Sequence, residues 1–196
     1  MSKGKPRSDK YAAILQGALR AFAAHGFHKT QVSKIAKAAG VADGTIYLYF
    51  RRKEDILIAL FREKLGQLVA KFRLEADEAA DARDSLRRLV EFHYGELEKD
   101  VDLAYVTQIE LRQSSLELRK EIGASIKPYI SLIEDILARG VAQGVFRPDL
   151  DVKLARLLVF GAMDETVTSW LISGRKYRLS AMADGTAAFF AKGLGA

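Results

Sequence analysis

Residues 41–50 read VADGTIYLYF, and the role of these ten positions decides how the whole chain is read. The stretch is mostly apolar, yet it holds the turn pair Asp43-Gly44, Thr45 and two tyrosines, Tyr47 and Tyr49. Basic sequence lies on both sides, KIAKAAG at 34–40 and RRKED at 51–55. Were the stretch all core, three hydroxyls would need buried partners. Were it all surface, Ile46, Leu48 and Phe50 would meet water without return. Helical spacing resolves the conflict. Ile46 and Phe50 stand four apart and share a face, so with Val41 they form the packed side. The aliphatic residues and Phe50 are therefore assigned to packing, and Gly44, Thr45, Tyr47 and Tyr49 point outward or toward the edges. Asp43 is placed to cap this short helix, with Gly44 and Thr45 in its first turn. A helix of barely two turns is marginal alone and must be held by its neighbours.

Those neighbours lie just upstream. Over 9–25, Tyr11, Ile14, Leu15, Ala18, Leu19 and Phe22 make one apolar stripe, and Gly26 follows as a C′ residue. A second helix spans 30–40, with Thr30 as its cap, Val32, Ile35, Ala36 and Ala39 as its inner face and Gly40 at its end. Two short helices joined by a glycine-containing turn have the spacing of a helix-turn-helix, whose second helix enters the DNA major groove.

The charge distribution agrees. Residues 1–64 hold 13 Lys+Arg against 5 Asp+Glu, a net +8, while residues 65–196 hold 18 against 20, a net −2. A basic segment on a nearly neutral body fits a polyanion-binding module on a separate scaffold. A DNA-packaging protein would spread its charge instead. The 196 residues contain no cysteine, which excludes disulfides and thiolate metal sites and fits a reducing compartment. The N-terminus lacks the apolar region of a signal peptide, and no apolar run approaches the ~18 residues that cross a bilayer. The expected location is the cytoplasm.

Downstream the patterns stay helical, giving an all-α chain of about nine helices. A long helix starts at Lys53 and carries Ile56, Leu57, Leu60, Phe61, Leu65, Leu68, Val69 and Phe72 toward residue 75. A loop falls within the acidic, alanine-rich 75–84. Helices resume in SLRRLVEFHYGELEK, LAYVTQIELRQ and LELRKEIGASIKPYISLIEDILARG, the last expected to kink or break at Pro128. Asp151 caps a helix that is apolar nearly all round, VKLARLLVFGAMDETVTSWLI, and LSAMADGTAAFFAKGL closes the chain. Residues 1–52 are read as a three-helix DNA-binding domain, and residues 53–196 as a ligand-binding and dimerisation domain.

The run TQVSKIAKAAGVADGTIYLYFRRKEDIL resembles the tetracycline-repressor (TetR) family of bacterial transcription regulators. The matching positions are Thr30, Ile35-Ala36, Ala39-Gly40-Val41, Gly44-Thr45, Tyr47, Phe50 and Lys53-Glu54. Further on, VTQIELRQSSLELR and VFGAMDETVTSW are similar to the subgroup that represses fatty-acid-degradation genes and responds to long-chain acyl-CoA. The resemblance implies a homodimer on a double-stranded DNA operator, with acyl-CoA as effector, no membrane partner, no metal and no cofactor.

It also implies roles. Thr30 and Lys53 would hold DNA phosphates at helix N-termini, Tyr47 and Tyr49 would donate hydroxyls to phosphates, and Thr45 would meet a phosphate or a thymine methyl. Asp43 departs from the basic residue common there; it caps the helix or accepts from a cytosine amine. Lys34, Lys37, Arg51, Arg52 and an arm with Lys3, Lys5 and Arg7 supply general attraction. For the effector, Phe92, Tyr105, Ile109, Phe160, Met163 and Trp170 are candidate tunnel walls. Arg112 and Arg119, then Arg87 and Arg88, are candidates for the phosphorylated head, and Gln108 for the thioester or amides. Ion pairs with Glu110 or Glu165 compete for the arginines, and ordinary core packing competes for the wall residues.

Two other functions stay open at this level. A different apolar small molecule or drug is the alternative inducer. An enzyme finds little to work with, since there is no cysteine and only three histidines, of which His93 stands without a partner in its local sequence.

Overall fold

The computed structural model of the chain describes residues 5–76, 79–110, 112 and 115–195. Among these the architecture is all-α, nine α-helices and no strand. They are α1 (Lys5–His25), α2 (Val32–Ala39), α3 (Asp43–Tyr47), α4 (Lys53–Ala76), α5 (Ala82–Lys99), α6 (Val101–Tyr105), α7 (Leu116–Ala142), α8 (Val152–Ile172) and α9 (Ala183–Leu194). A π-helical turn, Val106–Glu110, continues α6, and a 3-10 turn, Leu179–Met182, precedes α9. Lys3 lies outside the described residues, as do the side chains of Lys5 and Arg7.

The first three helices pack around Ile14, Leu19, Phe22, Ile35 and Ile46, each shut off from solvent. Close approach of α1 to α2 depends on Gly17. A Cβ there would stand 2.7 Å from the backbone nitrogen of Ala39. Both turns use left-handed glycines, Gly26 at φ 78° after α1 and Gly40 at φ 67° after α2. At Gly40 the chain reverses with Val41 N–H donating to Ala36 O at 3.0 Å, which satisfies a carbonyl at the helix end.

α4 carries the structure from this module into the body, where it packs chiefly on α7 and also on α5. Asp81, Asp100, Ser115 and Asp151 cap α5, α6, α7 and α8 through side-chain oxygens that accept first-turn N–H groups. On α8 and α9 the apolar residues Leu154, Leu157, Leu158 and Phe189 remain exposed on the single chain. No helix among the described residues is long and apolar enough to cross a membrane.

Several local expectations are corrected. The first helix starts at Lys5, earlier than residue 9. The N-cap of α2 is Gln31, not Thr30, and the N-cap of α3 is Ala42, so Asp43 sits one residue inside the helix without capping it. Leu48 belongs to the surface, not the core: it is 73% exposed just past α3. α7 runs on through Pro128 instead of breaking. Pro128 and Ala124, whose carbonyl loses its helical partner, both face solvent, where water satisfies the group.

Candidate DNA-binding and effector sites

The turn between α2 and α3 presents one face of α3 to solvent. Asp43 and Gly44 are exposed, Thr45 is half-buried, and Tyr47 is 59% exposed beside the still more open Leu48. Lys34 and Lys37 are exposed on α2, and Arg51 follows α3. Tyr49 stands half-buried, its ring 6.1 Å from Tyr11 and 6.4 Å from Phe50, so packing fixes its direction. Leu48 is apolar, yet its place at the end of α3 keeps it from the core. Two residues along a helix turn it about 200° away from Ile46.

The two residues expected to hold phosphates have other partners. Thr30 is buried, and its hydroxyl donates to the carbonyls of Gly26 at 2.7 Å and Ala21 at 3.1 Å. The Lys53 ammonium donates to the carbonyls of Phe27 at 2.6 Å, Thr30 at 3.0 Å and His28 at 3.2 Å, above the Phe27 ring at 4.5 Å. All three of its protons are spent on the α1–α2 connection, and burial holds its pKa below the ordinary lysine value. Lys53 therefore braces the module from the first residue of α4.

Two further links join the module to the body. Glu110, buried at the end of the π-helical turn, accepts the N–H of Phe27 at 2.7 Å. Arg52 bonds Asp55 at 2.9 Å and reaches Glu121 of α7 at 3.1 Å.

In the body, α4, α5, α7, α8 and the π-helical turn enclose a cavity of about 60 Å³ lined mainly by apolar side chains. Phe61, Leu65 and Leu68 come from α4, His93 and Leu97 from α5, Ile126 and Tyr129 from α7, Phe160 and Asp164 from α8, and Thr107 and Gln108 from the turn. Gln108 and Phe160 of the sequence candidates thus come together. Phe92 packs on Phe72 with ring centroids 5.7 Å apart, Met163 is sealed in the core, and Trp170 donates its indole N–H to Tyr177 O at 2.8 Å. Tyr105 is exposed and Ile109 half-buried, and neither lines this cavity.

Among the arginines, Arg112 bonds Asp164 at 2.6 Å, directly at the cavity wall, and lies 3.6 Å from Glu165. Arg119 is exposed on α7. Arg87 and Arg88 stay on α5 with Asp84, whose pKa their hydrogen bonds lower to about 2, away from the cavity lining. His93 and Tyr129 escaped the sequence reading because they stand 36 residues apart on different helices. Their hydrogen bond, Nδ1 to Oη, is 2.8 Å long. Among the described residues, no cluster of three or more His, Cys, Asp or Glu is placed to hold a metal ion.

Comparison with known proteins matches both halves of the chain. Residues 14–60 match the family described as bacterial regulatory proteins, tetR family, and residues 61–193 match the YsiA-like protein C-terminal region. The fatty acid metabolism regulator protein of Bacillus subtilis is 45% identical over 190 residues, covering 97% of this chain and 98% of that protein. The crystal structure of FadR from Bacillus subtilis in complex with stearoyl-CoA superposes with a TM-score of 0.91 at 46% identity, covering 94% of this chain and 99% of that one. FadR from Bacillus halodurans gives a TM-score of 0.91 at 47% identity with the same coverage. With a short helix α3 exposed in front, an apolar cavity behind, and relatives matched along nearly its whole length, the chain belongs to the tetR family of bacterial regulatory proteins.

Proposed function

We propose that this chain is a transcriptional repressor of fatty-acid metabolism genes that leaves its operator when a long-chain acyl-CoA binds. One observation carries the reading: the apolar cavity between α4, α5, α7 and α8 occurs in a chain 46% identical to a regulator crystallised with stearoyl-CoA. The chain acts in the cytoplasm, as a regulator and not an enzyme, and divides functionally at residue 53.

On the DNA side, α3 lies in the major groove. Gly44 gives close approach, Thr45, Tyr47 and Tyr49 supply hydroxyls, and Asp43 and the exposed Leu48 read base edges. Lys34 pairs with a phosphate, whereas Thr30 and Lys53 act by holding the turn that aims α3. The exposed apolar stripe of α8 and α9 seats a second copy in a two-fold four-helix interface, which spaces two recognition helices along the duplex.

On the effector side, each buried methylene of an acyl tail contributes roughly 0.8 kcal/mol. The cavity's 60 Å³ offers only a few water-sized positions, so a long tail requires the surrounding helices to part. Arg112 and Arg119 meet the phosphorylated head, with Arg112 exchanging Asp164 for phosphate. Parting moves α4 and the π-helical turn, the two elements that grip the DNA module through Lys53 and Glu110. A ligand that favours the parted arrangement weakens DNA binding by linkage.

The test is a fluorescence-anisotropy titration of the gene's upstream DNA at two salt concentrations, with stearoyl-CoA and with stearate as control. Salt-dependent binding released by stearoyl-CoA and not by stearate is expected. Binding indifferent to stearoyl-CoA overturns the effector assignment.

A further inference from the structure

His93 of α5 stands at the cavity wall with one ring nitrogen occupied and one left over. Nδ1 meets the Tyr129 hydroxyl at 2.8 Å, while Nε2 is shut off from solvent and has no hydrogen-bond partner among the described residues. Several polar atoms that share the cavity are committed elsewhere. The Thr107 hydroxyl donates to Leu103 O at 2.9 Å, Gln108 Oε1 accepts from Thr168 at 3.3 Å, and Asp164 is paired with Arg112. A buried polar atom without a partner is a standing cost, and in a ligand cavity the missing partner is a natural part of the ligand.

We infer that His93 Nε2–H donates to the acyl carbonyl oxygen of the effector's thioester, with Tyr129 as the residue that positions the ring. This inference rests on the acyl-CoA reading above. A Tyr129 hydroxyl donating to Nδ1 leaves the ring proton on Nε2, which no acceptor among the described residues meets. Burial pushes the imidazole pKa down to about 4 and the Tyr129 phenol up, so the pair is neutral and stays so. A neutral N–H answers a thioester carbonyl. It does not offset the charge of a carboxylate, which would be stranded between Leu97, Ile126 and Phe160. The pair therefore selects activated acyl groups over free acids, while the apolar walls measure the tail.

The experiment compares stearoyl-CoA with S-octadecyl-CoA, the thioether that lacks the carbonyl, in releasing operator DNA from the full-length wild type and His93→Leu. For the wild type, half-release is expected to need about tenfold more thioether than thioester, the worth of one hydrogen bond. His93→Leu is expected to need about tenfold more stearoyl-CoA than the wild type and to treat the two compounds alike. A His93→Leu protein that keeps the wild-type preference overturns the assignment, as does a wild type released equally by both. A wild type released by neither overturns the acyl-CoA reading and the assignment together. Should His93→Leu fail to fold, the infrared stretch of ¹³C-carbonyl stearoyl-CoA bound to the wild type decides. A band shifted to lower frequency supports the bond, and an unshifted band overturns it.

Discussion

The carboxylate of Glu110 accepts the backbone N–H of Phe27 at 2.7 Å, across 83 residues of sequence and from the effector body to the DNA-binding module. Glu110 ends the same π-helical turn whose Thr107 and Gln108 line the cavity. Gly26 lies against it: a Cβ there would stand 3.4 Å from the carboxylate, at a φ of 78° that strains other residues. Glu110→Ala leaves the buried Phe27 N–H without its acceptor and should lower stability by about 1–3 kcal/mol. The ratio of operator affinities without and with stearoyl-CoA should shrink roughly fivefold as coupling is lost. Calorimetric melting and paired operator titrations measure the two effects, and Glu110→Gln, which keeps an acceptor oxygen, should recover most of the stability.

Two lysines of the DNA module should separate by salt dependence. Lys34 is exposed on α2, so Lys34→Gln should leave the melting temperature unchanged and reduce the slope of log K against log salt by about 1. Lys53 spends its protons on three carbonyls. Lys53→Gln should lower both Tm and operator affinity while the slope holds, which operator titrations from 50 to 300 mM salt would reveal.

The outward leucines of α8 should decide assembly. Leu158→Arg places a charge in the exposed apolar stripe beside Phe189 and should turn a dimer into a monomer by sedimentation velocity. Operator affinity should fall at least about a hundredfold, because one recognition helix then works without its mate.

Acid should find His93 first. Its native pKa is about 4 against 6.5 in the unfolded chain, so between those values the unfolded state takes up a proton that the native state refuses. Stability therefore falls as pH drops through that window, by on the order of 3 kcal/mol once pH 4 is reached. Asp84, held near 2, loses its contribution only below the window. Melting curves from pH 7 to 4.5 should fall more steeply for the wild type than for His93→Phe.

The DNA module was largely legible because its determinants are local. The α1 stripe, the stop at Gly26 and the turn at Gly40 each sit within a few residues of what they control, and the structure keeps all three. What failed locally failed for geometric reasons. Asp43 has the chemistry of a cap, but the chain enters α3 through Ala42, and Thr30 turns its hydroxyl back to Ala21 of α1 and to Gly26 just past it. The apolar cavity was less legible. Its walls come from four helices and a π-helical turn, so nothing local in the sequence separates Phe160, which lines it, from Phe92 and Met163, which are buried in the core. His93 looked solitary because Tyr129, its partner, arrives on another helix.

The π-helical turn gives this connection a spare residue of chain. Its bonds close on carbonyls five residues back, and returning to the ordinary four-back pattern swings each following side chain by about 100° and advances it by about 1.5 Å. Thr107 and Gln108 belong to one end of that register and Glu110 to the other. The turn thus joins the cavity wall, at Thr107 and Gln108, to the hold on Phe27, at Glu110, within one short register.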